Sequence, residues 1–193
     1  MIAMNLSKGP VNIGCGYLYA MPVADFKVGE TTYETMTEVG YISEDGATFK
    51  RSAESNPIVT ANYGTVGYYN SAYETEFTAS VISLNKDNMT IFSTGSSVEE
   101  IKADGSTTVT GYRMYGREDD KPAEVALCFR CMDAGKGKYF NLYMPNATWI
   151  PKLEWTFDAE NPLMLNMNYK CSNTTFPDES QGSYYIDTNL WVA

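Results

Sequence analysis

Cys128-Phe129-Arg130-Cys131 is the most chemically suggestive spacing in this chain of 193 residues. A C-x-x-C pair can hold a metal ion or cycle between dithiol and disulfide. Its setting argues against both. The pair lies inside EVALCFRCM, a strand-like run in which positions three apart point to opposite faces. No second C-x-x-C exists and there is no histidine, so a zinc site lacks its remaining ligands. Cys128 and Cys131 read as buried free thiols, which is the packing habit of cysteine. The missing histidine also removes Ser-His-Asp and Cys-His catalysis. Glu74 and Glu76, two apart, share a strand face and could form the paired carboxylates of a glycosidase. Acids at such positions are far more often solvated surface. Gly14-Cys15-Gly16 and Gly64-Thr65-Val66-Gly67 lack the Lys-Ser/Thr or the full glycine spacing of a phosphate loop, and read as strand and turn glycines. The sequence thus predicts no enzyme, no cofactor and no metal.

Aromatic side chains offer a different chemistry. Fifteen tyrosines and three tryptophans could stack on sugars, so a carbohydrate-binding or adhesin-like β-sandwich module is the alternative reading. The alternation around Trp149 and Trp155 places both on an apolar face, which suits a core better than a platform. Tyr63, Tyr68, Tyr69 and Tyr73 have no such face. They fall in a polar stretch, residues 44–72, that follows the turn signal Glu44-Asp45-Gly46 and the basic pair Lys50-Arg51. This stretch shows no sustained periodicity and reads as a long extended loop.

The elements around it are mostly strands. In ATWIPKLEWTFDA the odd positions Trp149, Pro151, Leu153, Trp155 and Phe157 are apolar, and Lys152, Glu154, Thr156 and Asp158 between them are polar. That is the period of a half-buried strand. After Glu160-Asn161-Pro162, LMLNMNYKC repeats the pattern, which predicts an antiparallel hairpin. Residues 14–21, 35–42, 76–84, 106–115, 123–132 and 137–145 are strand-like too. One short helix is expected over NKDNMTIFSTG, capped by Asn85 or Asp87 and ended by Gly95. The fold class is mainly β: an antiparallel β-sandwich or barrel with one short flanking α-helix.

Length and composition agree with one domain over residues 1–193, with flexible ends at about 1–10 and 174–193. No apolar run approaches the ~18 residues of a membrane helix. The start, MIAMNLSKGP, lacks the blocks of a secretory signal, so the chain is expected to be made in a cytoplasm and to stay there until assembly or release. The net charge of −10 is spread along the chain and disfavours adhesion to nucleic-acid phosphates.

GYISEDGATFK, residues 40–50, resembles the Leu/Val-Gly-Tyr-Val-Ser-Glu-Asp-Gly-Val-Thr segment of major tail tube proteins of long, non-contractile-tailed bacteriophages. The similarity extends to the order of elements: GCGYLYAMPVAD before it, EFTASVISLNKDNMTIFSTGS after the long loop, then the Trp-x-Phe element of KLEWTFDA. It covers roughly residues 14–187, and the segment after Asn173 matches only loosely. The resemblance implies a β-sandwich shared by phage tail tubes and the type VI secretion tube. It further implies a virion protein, assembled in the host bacterial cytoplasm, whose hexameric rings stack into a hollow tube for DNA passage. Its partners would be further copies of itself and the tape measure, tail terminator and distal tail proteins, with DNA passing unbound. On this reading Tyr63, Tyr68, Tyr69, Tyr73, Lys50 and Arg51 make contacts between subunits. Glu154 and Asp158 are candidate acids of the lumen, where like charge would repel the polyanion.

Protein purified without chelator is expected to carry no stoichiometric zinc in elemental analysis, and replacing Cys128 and Cys131 in turn by Ala or Ser should alter stability only. Zinc at one equivalent would overturn the reading of these thiols.

Overall fold

A computed structural model describes residues 16–81, 99–113, 124–133, 136–149, 154–156 and 164–190. The strands are β1 (Tyr17–Pro22), β2 (Thr37–Thr60), β3 (Gly64–Val81), β4 (Glu99–Lys102), β5 (Val109–Arg113), β6 (Glu124–Asp133), β7 (Lys138–Trp149), β8 (Glu154–Thr156), β9 (Met164–Cys171), β10 (Thr174–Thr175), β11 (Gln181–Gly182) and β12 (Tyr185–Thr188). Helical structure among the described residues is confined to 3-10 turns at Val23–Asp25 and Tyr33–Thr35. The helix expected over 85–95 lies outside the described residues, as does Asp158.

All strand pairings are antiparallel. The main sheet runs β12-β7-β6-β1-β2-β3-β9-β8, and β7 also pairs with β9. That extra pairing closes β7, β6, β1, β2, β3 and β9 into a barrel. Closure turns on the second edge of β7, which serves two partners. Residues 140–143 pair with β12, while Ala147–Trp149 pair with Cys171–Tyr169 of β9. Between them, the register with β6 jumps from Leu127↔Met144 to Val125↔Ala147, so β7 carries an extra residue at Pro145-Asn146. A bulge bends the strand, and it tolerates a proline, which has no N–H for the ladder. The Asn146 carbonyl accepts a hydrogen bond from the Ser172 N–H at 2.8 Å, tying the bend to the end of β9.

Alternation then decides what lies inside. Leu18 and Ala20 of β1, Phe77, Ala79 and Val81 of β3, Val125 and Leu127 of β6, Leu142 and Met144 of β7, and Met167 and Tyr169 of β9 fill the interior. The intervening residues of β1, β6 and β7 face outward and need a cover. The segment 23–36 supplies it: Phe26, Tyr33 and Met36 pack over Tyr19, Met21, Ala126, Cys128 and Tyr143. Cys128 and Cys131 therefore point to opposite faces, as the strand period predicts. Trp149 ends β7 and packs inside the barrel, which suits a core rather than a sugar platform. The hairpin expected over 149–171 is present as β8 paired with β9, with Glu154 opposite Asn166.

Two expectations need correction. Residues 44–72 are not an extended loop. They form most of a long antiparallel ribbon, β2 with β3, and Asp45-Gly46 does not reverse the chain. The register instead passes from Ile42↔Val81 to Ala47↔Ala79, so the polar run is accommodated as a wide bulge, with Gly46 at φ 78°. Nor are residues 174–188 without regular structure: β10 and β11 form a tight hairpin and β12 joins β7. The ring of Tyr185 stacks on Tyr143 at 4.8 Å, which gives this short strand an apolar anchor.

Phe77 is fully buried inside the barrel, whereas Tyr63 stands at the ribbon tip. Phe77→Ala is expected to lower the unfolding free energy by about 3–5 kcal/mol in urea titrations. Tyr63→Ala should change it by less than about 0.5 kcal/mol.

Candidate functional site

The ribbon leaves the barrel where its flanking partners stop. On one side β1 pairs with β2 only as far as Tyr41, and on the other β9 pairs with β3 only from Thr75 onward. Beyond Arg51 and Thr75 the two strands have each other alone. Ser52–Thr60 spans roughly 30 Å at about 3.3 Å per residue. The tip turns through Ala61-Asn62-Tyr63 into Gly64, whose φ of 68° is one that glycine adopts without strain.

Pairing and alternation sort the side chains. Tyr73 lies opposite Ala53 and Tyr68 opposite Pro57, with Val59 further out, on the face continuous with the barrel interior. Tyr69, opposite Asn56, and Ile58 lie on the other face, where Asn56 Nδ2 donates to Ser71 Oγ at 2.7 Å. Both faces are open. Tyr63 is 83% exposed and Tyr68 70%. Among the described residues, no side-chain hydrogen bond or ring contact engages Tyr63, Tyr68 or Tyr69. Tyr73 differs, because the Arg51 guanidinium sits 4.6 Å from its ring centroid. Lys50 lies on the opposite face, across from Glu76. The sequence-predicted contact residues thus share one ribbon, but Arg51 already has partners within the chain.

A lone two-stranded ribbon is marginally stable in water. This one carries exposed Ile58, Val59, Val66 and four tyrosines with no layer packed on them. Tyrosine gives large contact area for little lost side-chain freedom, and it is enriched where proteins meet. The ribbon thus presents two open faces of exposed aromatic and aliphatic side chains.

The other candidates fare differently. Glu74 and Glu76 do lie on one face, but Lys170 holds the Glu74 carboxylate at 2.5 Å and keeps its pKa below the usual carboxylate range. A proton donor needs the opposite shift. Among the described residues no group of His, Cys, Asp or Glu could hold a metal, and no helix is long and apolar enough to cross a membrane. Glu154 sits in the short outer strand β8, opposite Asn166. A partner that sequence reasoning missed is the segment Ser183-Tyr184, which packs at the ribbon root. Nothing local marks it, since its role exists only across the fold.

Comparison of the chain with protein-family models and with curated proteins finds no match. The structure defines the protein as a mainly β, antiparallel fold with a projecting aromatic ribbon.

Burial pushes the thiols of Cys128 and Cys171 up to about 12. Their reactive thiolate is therefore scarce at ordinary pH. Iodoacetamide at pH 8 should leave both unlabelled in the native protein and label both in denaturant, as read by peptide mass spectrometry.

Proposed function

We propose that this protein is a structural subunit that polymerises, and that its polymer is a phage tail tube of stacked hexameric rings. One observation carries the polymerising part: a ribbon of about 30 Å on which exposed Tyr63, Tyr68 and Tyr69 have no side-chain partner among the described residues. Fixing a residue's backbone costs about 1–2 kcal/mol. A solvated ribbon recovers little of that within one subunit, and desolvating its aromatic faces against a neighbour recovers more. The tube itself rests on the resemblance of residues 40–50 and of the element order to tail tube proteins.

Acidity is consistent with that role. A conduit for DNA must not hold phosphates, and a net charge of −10 per subunit repels a polyanion. On this proposal the tape measure, tail terminator and distal tail proteins are the further partners, and the virion tail is the final location. Catalysis and cofactors have no part in it.

Replacing residues 54–72 by Asn-Gly, a two-residue hairpin turn, tests the reading. The barrel should still unfold cooperatively in circular dichroism, because its interior residues are untouched. Electron micrographs of concentrated parent protein should show rings or tubes, and those of the shortened protein should show neither. Regular tubes from the shortened chain would remove the ribbon from the assembly. Loss of its cooperative transition would place the ribbon in the core instead. Parent protein that stays monomeric at high concentration, even when seeded with tail tips, would overturn the tube.

A further inference from the structure

We infer that the carboxyl-terminal segment is a latch that sets the direction of the ribbon, with Tyr184 as its bolt and Arg51 as a positioning residue. The latch is built at Thr75, the last residue of β3 that has a barrel strand beside it. Thr75 pairs through its backbone with Cys171 at the end of β9. The chain then makes the β10–β11 hairpin and returns to the same place, where Ser183 Oγ lies 2.7 Å from Thr75 Oγ1. Thr75 and Ser183 are both buried. A hydroxyl pair removed from water is directional, and leaving either member unpaired is unfavourable.

The next residue extends the hold. Tyr184 packs edge-on against Phe49 with ring centroids 4.8 Å apart, covering the open end of the interior cluster beneath the ribbon. Arg51, directly opposite Thr75, places its guanidinium 4.6 Å from the Tyr73 ring and 5.6 Å from the Tyr184 ring. One cation thus bridges the first free aromatic of the ribbon and the aromatic of the carboxyl-terminal segment. Beyond Tyr184, β12 is fastened to β7. The ribbon root is therefore gripped from the barrel wall, which fixes the direction in which the ribbon leaves it.

The hairpin turn itself is shaped for this return. A Cβ on Gly182 would come within 2.4 Å of the Phe176 ring, so glycine lets the chain pass under that ring and reach Thr75. The inference concerns the lone subunit, so it stands or falls separately from the tube.

Spin labels on Asn62→Cys at the ribbon tip and Lys136→Cys at the opposite turn, in a Cys15→Ser background, read the ribbon's direction as a distance distribution in the monomer. The parent should give one narrow peak. Tyr184→Ala and Arg51→Gln should each broaden it, the pair together little more than Tyr184→Ala alone, while Tyr184→Phe keeps it narrow. A broad parent distribution, or a peak unchanged by Tyr184→Ala, would overturn the latch. If Tyr184→Ala proves unfolded by near-ultraviolet circular dichroism, Arg51→Gln decides, because Arg51 is exposed and its loss leaves the core intact.

Discussion

Ring closure through the divided edge of β7 is the constraint on which the other features depend. The β7–β9 pairing closes the sheet, and β12 takes the rest of the same β7 edge. The extra residue at Pro145-Asn146 changes the strand's direction midway, so that one half reaches β12 and the other half meets β9. Once closed, the barrel hides the interior side chains of β1, β3, β6, β7 and β9 from water on every side. Apolar burial of this kind contributes about 1.5–3 kcal/mol for each large side chain. The edge that closure leaves over is short: part of β7, taken by β12, and part of β9, taken by β8. A strand pair longer than the wall must therefore leave it, and β2 with β3 does.

The outer face obeys a second economy. Because Tyr19, Cys128 and Tyr143 point outward on adjacent strands, the barrel would present an aromatic patch to solvent unless something lay over it. The 3-10 turns of segment 23–36 do so with few regular hydrogen bonds. The Tyr33 N–H donates to Tyr143 Oη at 3.3 Å, and the Arg130 guanidinium lies 3.7 Å from the Tyr33 ring centroid. Polar groups thus fasten an otherwise apolar cover. Burial also raises the phenol of Tyr143 and lifts that of Tyr185 to about 12, so both stay neutral at ordinary pH.

LMLNMNYKC was legible because its alternation survives folding, with Met167 and Tyr169 buried and Lys170 exposed. EVALCFRCM was legible as a strand by its short apolar run, which is buried on both faces because segment 23–36 covers Ala126 and Cys128. The ribbon was illegible for the converse reason. With water on both faces, selection for apolar alternation has nothing to act on, and extra residues at Val66 and Ala72 shift the phase twice. Asn62-Tyr63-Gly64 between Ile58-Val59-Thr60 and Thr65-Val66 was the one local hint of a hairpin. Asp45-Gly46 misled because a bulge and a turn ask the same backbone freedom of glycine. Ser183 and Tyr184 carry no pattern of their own, since what they touch is more than a hundred residues away in the chain.

A bare pair of strands has two outer rows of amide and carbonyl groups, and such rows invite endless strand addition, the geometry of amyloid. The same irregularities that hid the ribbon guard it from that fate. Pro57 withholds an N–H on one strand, and the extra residues at Val66 and Ala72 put breaks into the repeat of the other. A stranger approaching edge-on meets a ladder with missing rungs. The surface left for productive contact is the pair of tyrosine-bearing faces, so growth by this ribbon is steered towards partners of fixed shape and away from fibres.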